Sequence, residues 1–220
     1  MPSAFLFDLD GTLLDSDPLH CAVFIELLAE YGLEADEAFY RTHIHGRHNS
    51  QVFSELLPSE DPHRMDVEKE RRFRESLAGV TVDPMPGLVR LLDRAATAGV
   101  PVAVATNAPR DNAEAMLNAI GLRHRFGTVV SADDVDNVKP APDVYLSAAA
   151  GIGADPARAL AFEDSPSGLR AARASGATVI GLSTTLSDEE LRHHGAHHVI
   201  RNYEDPALEP LLGLSTGALT

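Results

Sequence analysis

The sequence has no tryptophan, one cysteine and two lysines in 220 residues, and aromatic side chains make up only 5% of it. A lone cysteine, Cys21, excludes an intrachain disulfide, so packing must hold the fold together, as suits a reducing compartment. Cys21 falls within a helical pattern with no base beside it and reads as a buried structural thiol. No segment approaches the roughly 20 apolar residues that a membrane-spanning helix needs. The N-terminus also lacks a basic stretch followed by an apolar signal core, so the expectation is a soluble, cytoplasmic protein. Positive charge is scarce as well: 18 Lys and Arg stand against 33 Asp and Glu, a formal net charge of -15. That balance argues against nucleic acid and membrane surfaces as partners, because both recruit basic faces. The rest, 44% hydrophobic and 23% charged, is ordinary globular composition, long enough for one core or a core with an insertion.

The apolar run over 4–7 reads as a buried strand and ends in Asp8-Leu9-Asp10-Gly11-Thr12. From about 16 to 80 every pattern is helical. A helix is expected over 17–31, with Asp17 as N-cap before Pro18 and Gly32 as its stop. Two shorter helices follow over 35–57, broken around His45-Gly46-Arg47-His48-Asn49, with Asn49 placed to cap the second. Asp61-Pro62 then opens a long polar helix to about 78.

After a Pro-rich return over 80–87, short apolar strands (100–105, 128–131, 159–162, 178–182) alternate with helices. That alternation predicts an α/β fold, a Rossmann-like doubly wound parallel sheet covered on both faces. The core takes residues 1–15 and 81–220, and an all-helical cap domain, 16–80, is inserted into it.

Three of these strands end in unusual polar residues: Asp8 and Asp10, Thr106 and Asn107, Glu163 and Asp164. Ligands of an open parallel sheet bind beyond the carboxyl ends of its strands, so the three pairs should share one crevice. Asp8 and Asp10 are two apart on an extended segment and so share a face. Two such carboxylates need a cation or a proton between them, and suit metal-assisted attack by one carboxylate while the other trades a proton with the leaving group. Lys139, the lysine between an acidic loop and Pro140, is the candidate fixed positive charge for a phosphate dianion.

DLDGT, Thr106-Asn107, Lys139-Pro140-x-Pro-Asp and Glu163-Asp164-Ser165-x-x-Gly, in that order, resemble the four motifs of the haloacid dehalogenase (HAD) superfamily. The helical insertion behind the first motif resembles the C1 cap of subfamily I, and the whole is similar to the β-phosphoglucomutase-like branch. The resemblance implies a phosphatase that hydrolyses a small phosphorylated metabolite, a sugar phosphate, through an aspartyl phosphate. It implies Asp8 as nucleophile and Asp10 as general acid and base, with Thr106, Asn107 and Lys139 at the phosphoryl oxygens. Mg²⁺ would be held by Asp8, the Asp10 carbonyl and Asp164, with Glu163 close by. The cap is expected to present His20, His45, Arg47, His48 and Asn49 to the leaving group.

A β-phosphoglucomutase-type phosphomutase is the rival reading, although the arginine such mutases carry in this loop falls at Asn49. A phosphonate-cleaving relative would need a Schiff-base lysine in the cap, where only Lys69 exists. A non-catalytic binding relative would have lost a motif residue, and this chain keeps them all. His193-His194-Gly195-Ala196-His197-His198 reads as a surface cluster, because Gly195 interrupts the helix that a zinc pair would need. The expected assembly is a monomer or weak homodimer.

Overall fold

A computed structural model describes residues 2–213; Met1 and residues 214–220, which the sequence reading placed in the core segment, lie outside the described residues. The chain forms two compact units, Met1–Asp15 with Val82–Thr220, and Ser16–Thr81.

The first unit is built on six parallel strands: β1 (Ala4–Phe7), β2 (Val102–Ala105), β3 (Thr128–Val130), β4 (Ala159–Glu163), β5 (Thr178–Leu182) and β6 (His198–Ile200). They lie in the order β3-β2-β1-β4-β5-β6, so β1 sits centrally between β2 and β4. This is a Rossmann-like order, and the order in which strands are added reverses at β1, the position where such sheets bind ligands. All four β1 residues are buried, as a strand covered on both faces requires.

One face of the sheet is lined by small side chains, among them Ala103, Ala105 and Ala161, and the helix over Pro166–Ala174 adds Ala171 and Ala172 to the same cluster, which lets the layers approach closely. Tyr145, from the helix over Asp143–Gly151, is the bulky member of that layer. Away from it Phe7 stacks on Phe162 with ring centroids 4.8 Å apart, and Phe126 and Tyr203 pack edge-on against Phe7. Burying each such ring contributes roughly 1.5–3 kcal/mol.

The second unit contains α1 (Asp17–Glu30), α2 (Glu37–His43), α3 (Asn49–Leu56) and α4 (Pro62–Leu77). Phe24, Leu27, Leu28, Tyr40, Val52, Phe53 and Met65 share its core. In α4 the buried positions Met65, Lys69, Phe73 and Leu77 recur every four residues, so one stripe of a very polar helix faces inward.

Several expectations need correction. The residue preceding α1 is Ser16, and the Asp17 carboxylate instead accepts the Tyr40 hydroxyl at 2.7 Å. Asn49 is the first residue of α3, behind His48 at the cap position. The second strand starts at Val102, since Pro101 has no N–H for the ladder. Strand β6 and the short helix over Glu209–Leu212 carry no signal in sequence, because three or four residues hold no readable period.

Candidate active site

Asp8 directly follows β1, and its N–H still donates to Phe162 O of β4 at 3.0 Å, so the sheet ladder fixes its backbone. Gly11 then turns the chain with φ +70°, a conformation that favours glycine, and Thr184 Oγ1 donates to its carbonyl at 2.8 Å. Tyr203 Oη donates to the Thr12 carbonyl at 3.1 Å, so the loop carrying Asp10 is tied from two other segments.

Four ionisable residues from three segments meet at this edge. Lys139 Nζ lies 2.5 Å from Asp8 Oδ1 and 2.7 Å from Glu163 Oε1. Asp8, Glu163 and Asp164 each bring a carboxylate oxygen within 4.8 Å of the others, all three residues being buried. Thr12 Oγ1 donates weakly to Asp164 Oδ1 at 3.4 Å.

One ammonium does not balance this set. Burial, followed by the charges of Glu163 and Asp10 and offset in part by Lys139, pushes the Asp8 carboxyl up to about 8. Burial and then the charges of Glu163, Asp8 and Asp10 push Asp164 well above the usual carboxylate range. Burial opposes the Lys139 charge, yet Asp8 and Glu163 more than offset it and hold the ammonium charged well above its ordinary value. Excess negative charge on oxygen donors alone is a setting for a hard divalent cation, and the residues present fit one.

Two glycines make room for the carboxylates. A Cβ on Gly168 would sit 1.6 Å from Glu163 Oε1, and one on Gly11 would sit 2.1 Å from Asp164 Oδ2. Gly168→Ala is therefore expected to displace Glu163 and lower kcat about 100-fold with the circular-dichroism spectrum retained, since misplacement by about 1 Å costs on that order. Wild-type kcat in that variant would count against the importance of Glu163.

The remaining sequence-derived candidates are placed as follows. Thr106, buried at the end of β2, accepts the Ala108 N–H at 3.0 Å. The Asn107 carboxamide is engaged at both ends on one neighbour: Oδ1 accepts the Lys139 N–H at 2.9 Å and Nδ2 donates to the Lys139 carbonyl at 3.3 Å. Its side chain thus ties the end of β2 to the lysine loop. In the helical unit, His20 stacks on Phe73 at 3.9 Å and its Nδ1 is 2.8 Å from Lys69 Nζ. His45 Nε2 lies 3.5 Å from Asp17, Arg47 donates to Glu55 at 2.6 Å, and His48 precedes α3 on the surface. Asn49 Nδ2 donates to Asp66 and Glu70 at 2.8 and 2.6 Å.

The C-terminal histidines belong to no group of three metal-ligating residues among those described. His197 is half committed to the backbone, its Nδ1 accepting the Val179 N–H at 2.9 Å.

Sequence reasoning missed Tyr145, whose hydroxyl donates to Glu163 Oε1 at 3.1 Å, and Ser165, whose N–H and Oγ both reach Glu163 Oε2. The available signal was a tyrosine on an otherwise alanine-rich buried face, since a buried phenol must find a partner.

The sequence and structure of this chain resemble known proteins over most of its length. The family model described as haloacid dehalogenase-like hydrolase matches residues 5–182. Protein CbbY of Rhodobacter capsulatus is 37% identical over 189 residues, 80% of this chain and 83% of that protein. The fructose-1-phosphate phosphatase YqaB of Escherichia coli is 37% identical over 185 residues, 82% of this chain and 96% of its own length. The crystal structure of a CbbY variant from Rhodobacter sphaeroides, in complex with xylulose-(1,5)bisphosphate, matches with TM-score 0.76 and 29% identity over 92% of this chain and 95% of that one. From the order of its strands, the acidic cluster at their carboxyl ends and this match, the chain belongs to the haloacid dehalogenase-like hydrolase family.

Proposed function

We propose that this enzyme is a Mg²⁺-dependent phosphatase acting on a small phosphorylated sugar or sugar-like metabolite. The observation that carries the reading is the Asp8 carboxylate, held at a strand end 2.5 Å from Lys139 and within reach of Asp164. Asp8 Oδ attacks phosphorus as the bond from phosphorus to the leaving oxygen breaks, giving an aspartyl phosphate. Asp10 gives its proton to the leaving alkoxide, then takes one from the water that cleaves the acyl phosphate and frees Asp8. Lys139 and the Thr106 hydroxyl balance the charge on the transferring phosphoryl oxygens. Asp8 and Asp164, with the Asp10 carbonyl and Glu163 nearby, would hold the Mg²⁺, which neutralises phosphate charge so that a carboxylate can approach.

Phosphatase is favoured over phosphomutase. A mutase must grip a second phosphate, yet Asn49, at the position of the mutase arginine, is bonded to the two carboxylates of Asp66 and Glu70. Arg47, the other candidate, is paired with Glu55. The relatives support the same choice, because YqaB hydrolyses a sugar monophosphate by its name. No helix among the described residues is long and apolar enough to cross a membrane.

The test is phosphate release from a panel including fructose 1-phosphate and glucose 1-phosphate, with and without Mg²⁺. Free sugar from glucose 1-phosphate means hydrolysis, and glucose 6-phosphate in its place would mean a mutase.

Metal and proton should compete at Asp8. Its carboxyl titrates near 8 in the folded protein against 3.8 ordinarily, so the folded state holds that proton more tightly. The resulting stabilisation is complete below the unfolded value and is lost as the pH rises through the folded one. Added Mg²⁺ is therefore expected to raise the melting temperature, and by more at about pH 8.5 than at about pH 6, as followed by calorimetry. An equal shift at both values would mean that Asp8 gives up no proton to the metal in this range.

A further inference from the structure

We propose that Tyr145 is a positioning residue for phosphoryl transfer: its phenol fixes the Glu163 carboxylate, and Glu163 in turn fixes the Lys139 ammonium between itself and the nucleophile Asp8. The inference rests on the roles given to Asp8 and Lys139 above.

Lys139 arrives on a loop, and its ammonium is steered by acceptors from other segments. One is the nucleophile at 2.5 Å and the other is Glu163 Oε1 at 2.7 Å. An ammonium has three N–H groups, so a third remains for a phosphoryl oxygen if these two hold their positions. The share of Lys139 that Asp8 receives is then set by how firmly Glu163 is held. If Glu163 rotates away, the ammonium closes on Asp8 and masks the attacking oxygen instead of stabilising the group under attack.

Glu163 is fixed through both of its oxygens. Oε2 accepts the N–H groups of Asp164 and Ser165, each at 2.9 Å, and the Ser165 hydroxyl at 3.0 Å. These bonds all come from the residues that follow it in the chain and do not hold Oε1, whose partners are the mobile ammonium itself and Tyr145. Tyr145 Oη supplies the missing restraint, donating to Oε1 at 3.1 Å from a helix packed under the sheet. Burial, then the charge of Glu163, raises the phenol well above its ordinary range, so it stays a donor. The ring adds a second constraint, since Lys139 Nζ lies 5.0 Å from its centroid. Tyr145 and Glu163 are wholly buried, so bulk solvent does not reach either bond.

The test is a double-mutant cycle on p-nitrophenyl phosphate hydrolysis, whose good leaving group keeps weak variants measurable. Tyr145→Phe removes one oxygen and keeps the packing. It is expected to lower kcat about 5- to 20-fold, with KM and the half-saturating Mg²⁺ concentration within twofold of wild type. In a Lys139→Ala background the same change is expected to cost less than twofold, because the ammonium it positions is gone. A Tyr145→Phe enzyme with wild-type kcat overturns the proposal. So does an equal fractional loss in both backgrounds, which would mark a purely structural residue, or a loss abolished by excess Mg²⁺, which would place the phenol in service of the metal. Should Tyr145→Phe fail to fold, Glu163→Gln runs the same cycle from the acceptor side. Wild-type turnover in Lys139→Ala alone would instead sink the role of Lys139, so the two failures are distinguishable.

Discussion

Asp8→Asn is expected to lose at least about 10⁴-fold in kcat, the scale seen when a covalent nucleophile is removed, while remaining folded. An amide has nearly the shape of a carboxylate but no negative charge with which to attack phosphorus. The substitution also relieves crowding. Asp8 sits among Glu163, Asp164 and Asp10, and its carboxyl is pushed up to about 8 chiefly by burial. A neutral side chain there removes an ionisable group that burial disfavours in its charged form, and Lys139 keeps Glu163 at 2.7 Å as its partner. Metal-free Asp8→Asn should therefore melt no lower than wild type, so lost turnover cannot be blamed on unfolding. Phosphate release and a melting curve on the same sample check both halves, and near-normal turnover would remove Asp8 as nucleophile.

Lys139→Ala carries the second large effect, and here stability and catalysis fall together. The ammonium is the positive partner of two buried carboxylates, and removing one side of a buried pair costs about 3–5 kcal/mol because the other is left uncompensated. The loss should be smaller in acid. Without Lys139, whose charge holds the Asp8 carboxyl down, that carboxyl is raised further, so the folded protein keeps a proton that the unfolded chain lacks. That compensation is lost as the pH rises through the raised value. The catalytic loss, about 10²- to 10³-fold in kcat, reflects withdrawal of a preorganised charge from the transferring phosphoryl group. Calorimetry at two pH values and steady-state kinetics in saturating Mg²⁺ separate the two, since added metal restores part of the stability but not the rate. A variant with wild-type kcat would show that Lys139 serves structure alone.

Much of the layout was readable from residues 4–12, 102–107, 139 and 159–165, because buried parallel strands are short apolar runs and the polar residues that end them are out of place there. The helical character of 16–80 was equally plain from its four-residue spacing and its Asp-Pro starts, and Asp61 does cap α4 through the His63 N–H.

Side-chain partners were harder. Asn107 looked like a ligand group because it follows a strand, yet its carboxamide closes on the Lys139 backbone 32 residues away. Lys69 looked like one more charge on a solvated helix. It lies in the buried stripe of α4, only 3% exposed, against His20 and Glu70. Asn49 looked like a cap and faces two carboxylates of α4.

Period, punctuation and the order of the motifs are local properties, and they were enough to specify strand, helix, insertion and the set of acids at the sheet edge. Which oxygen of Glu163 meets Lys139, and that a tyrosine six residues beyond that lysine steadies it, depends on segments brought together across the sheet. Such contacts are chosen by packing and by the need of every buried polar group for a partner, and neither condition leaves a mark on the spacing of residues along the chain.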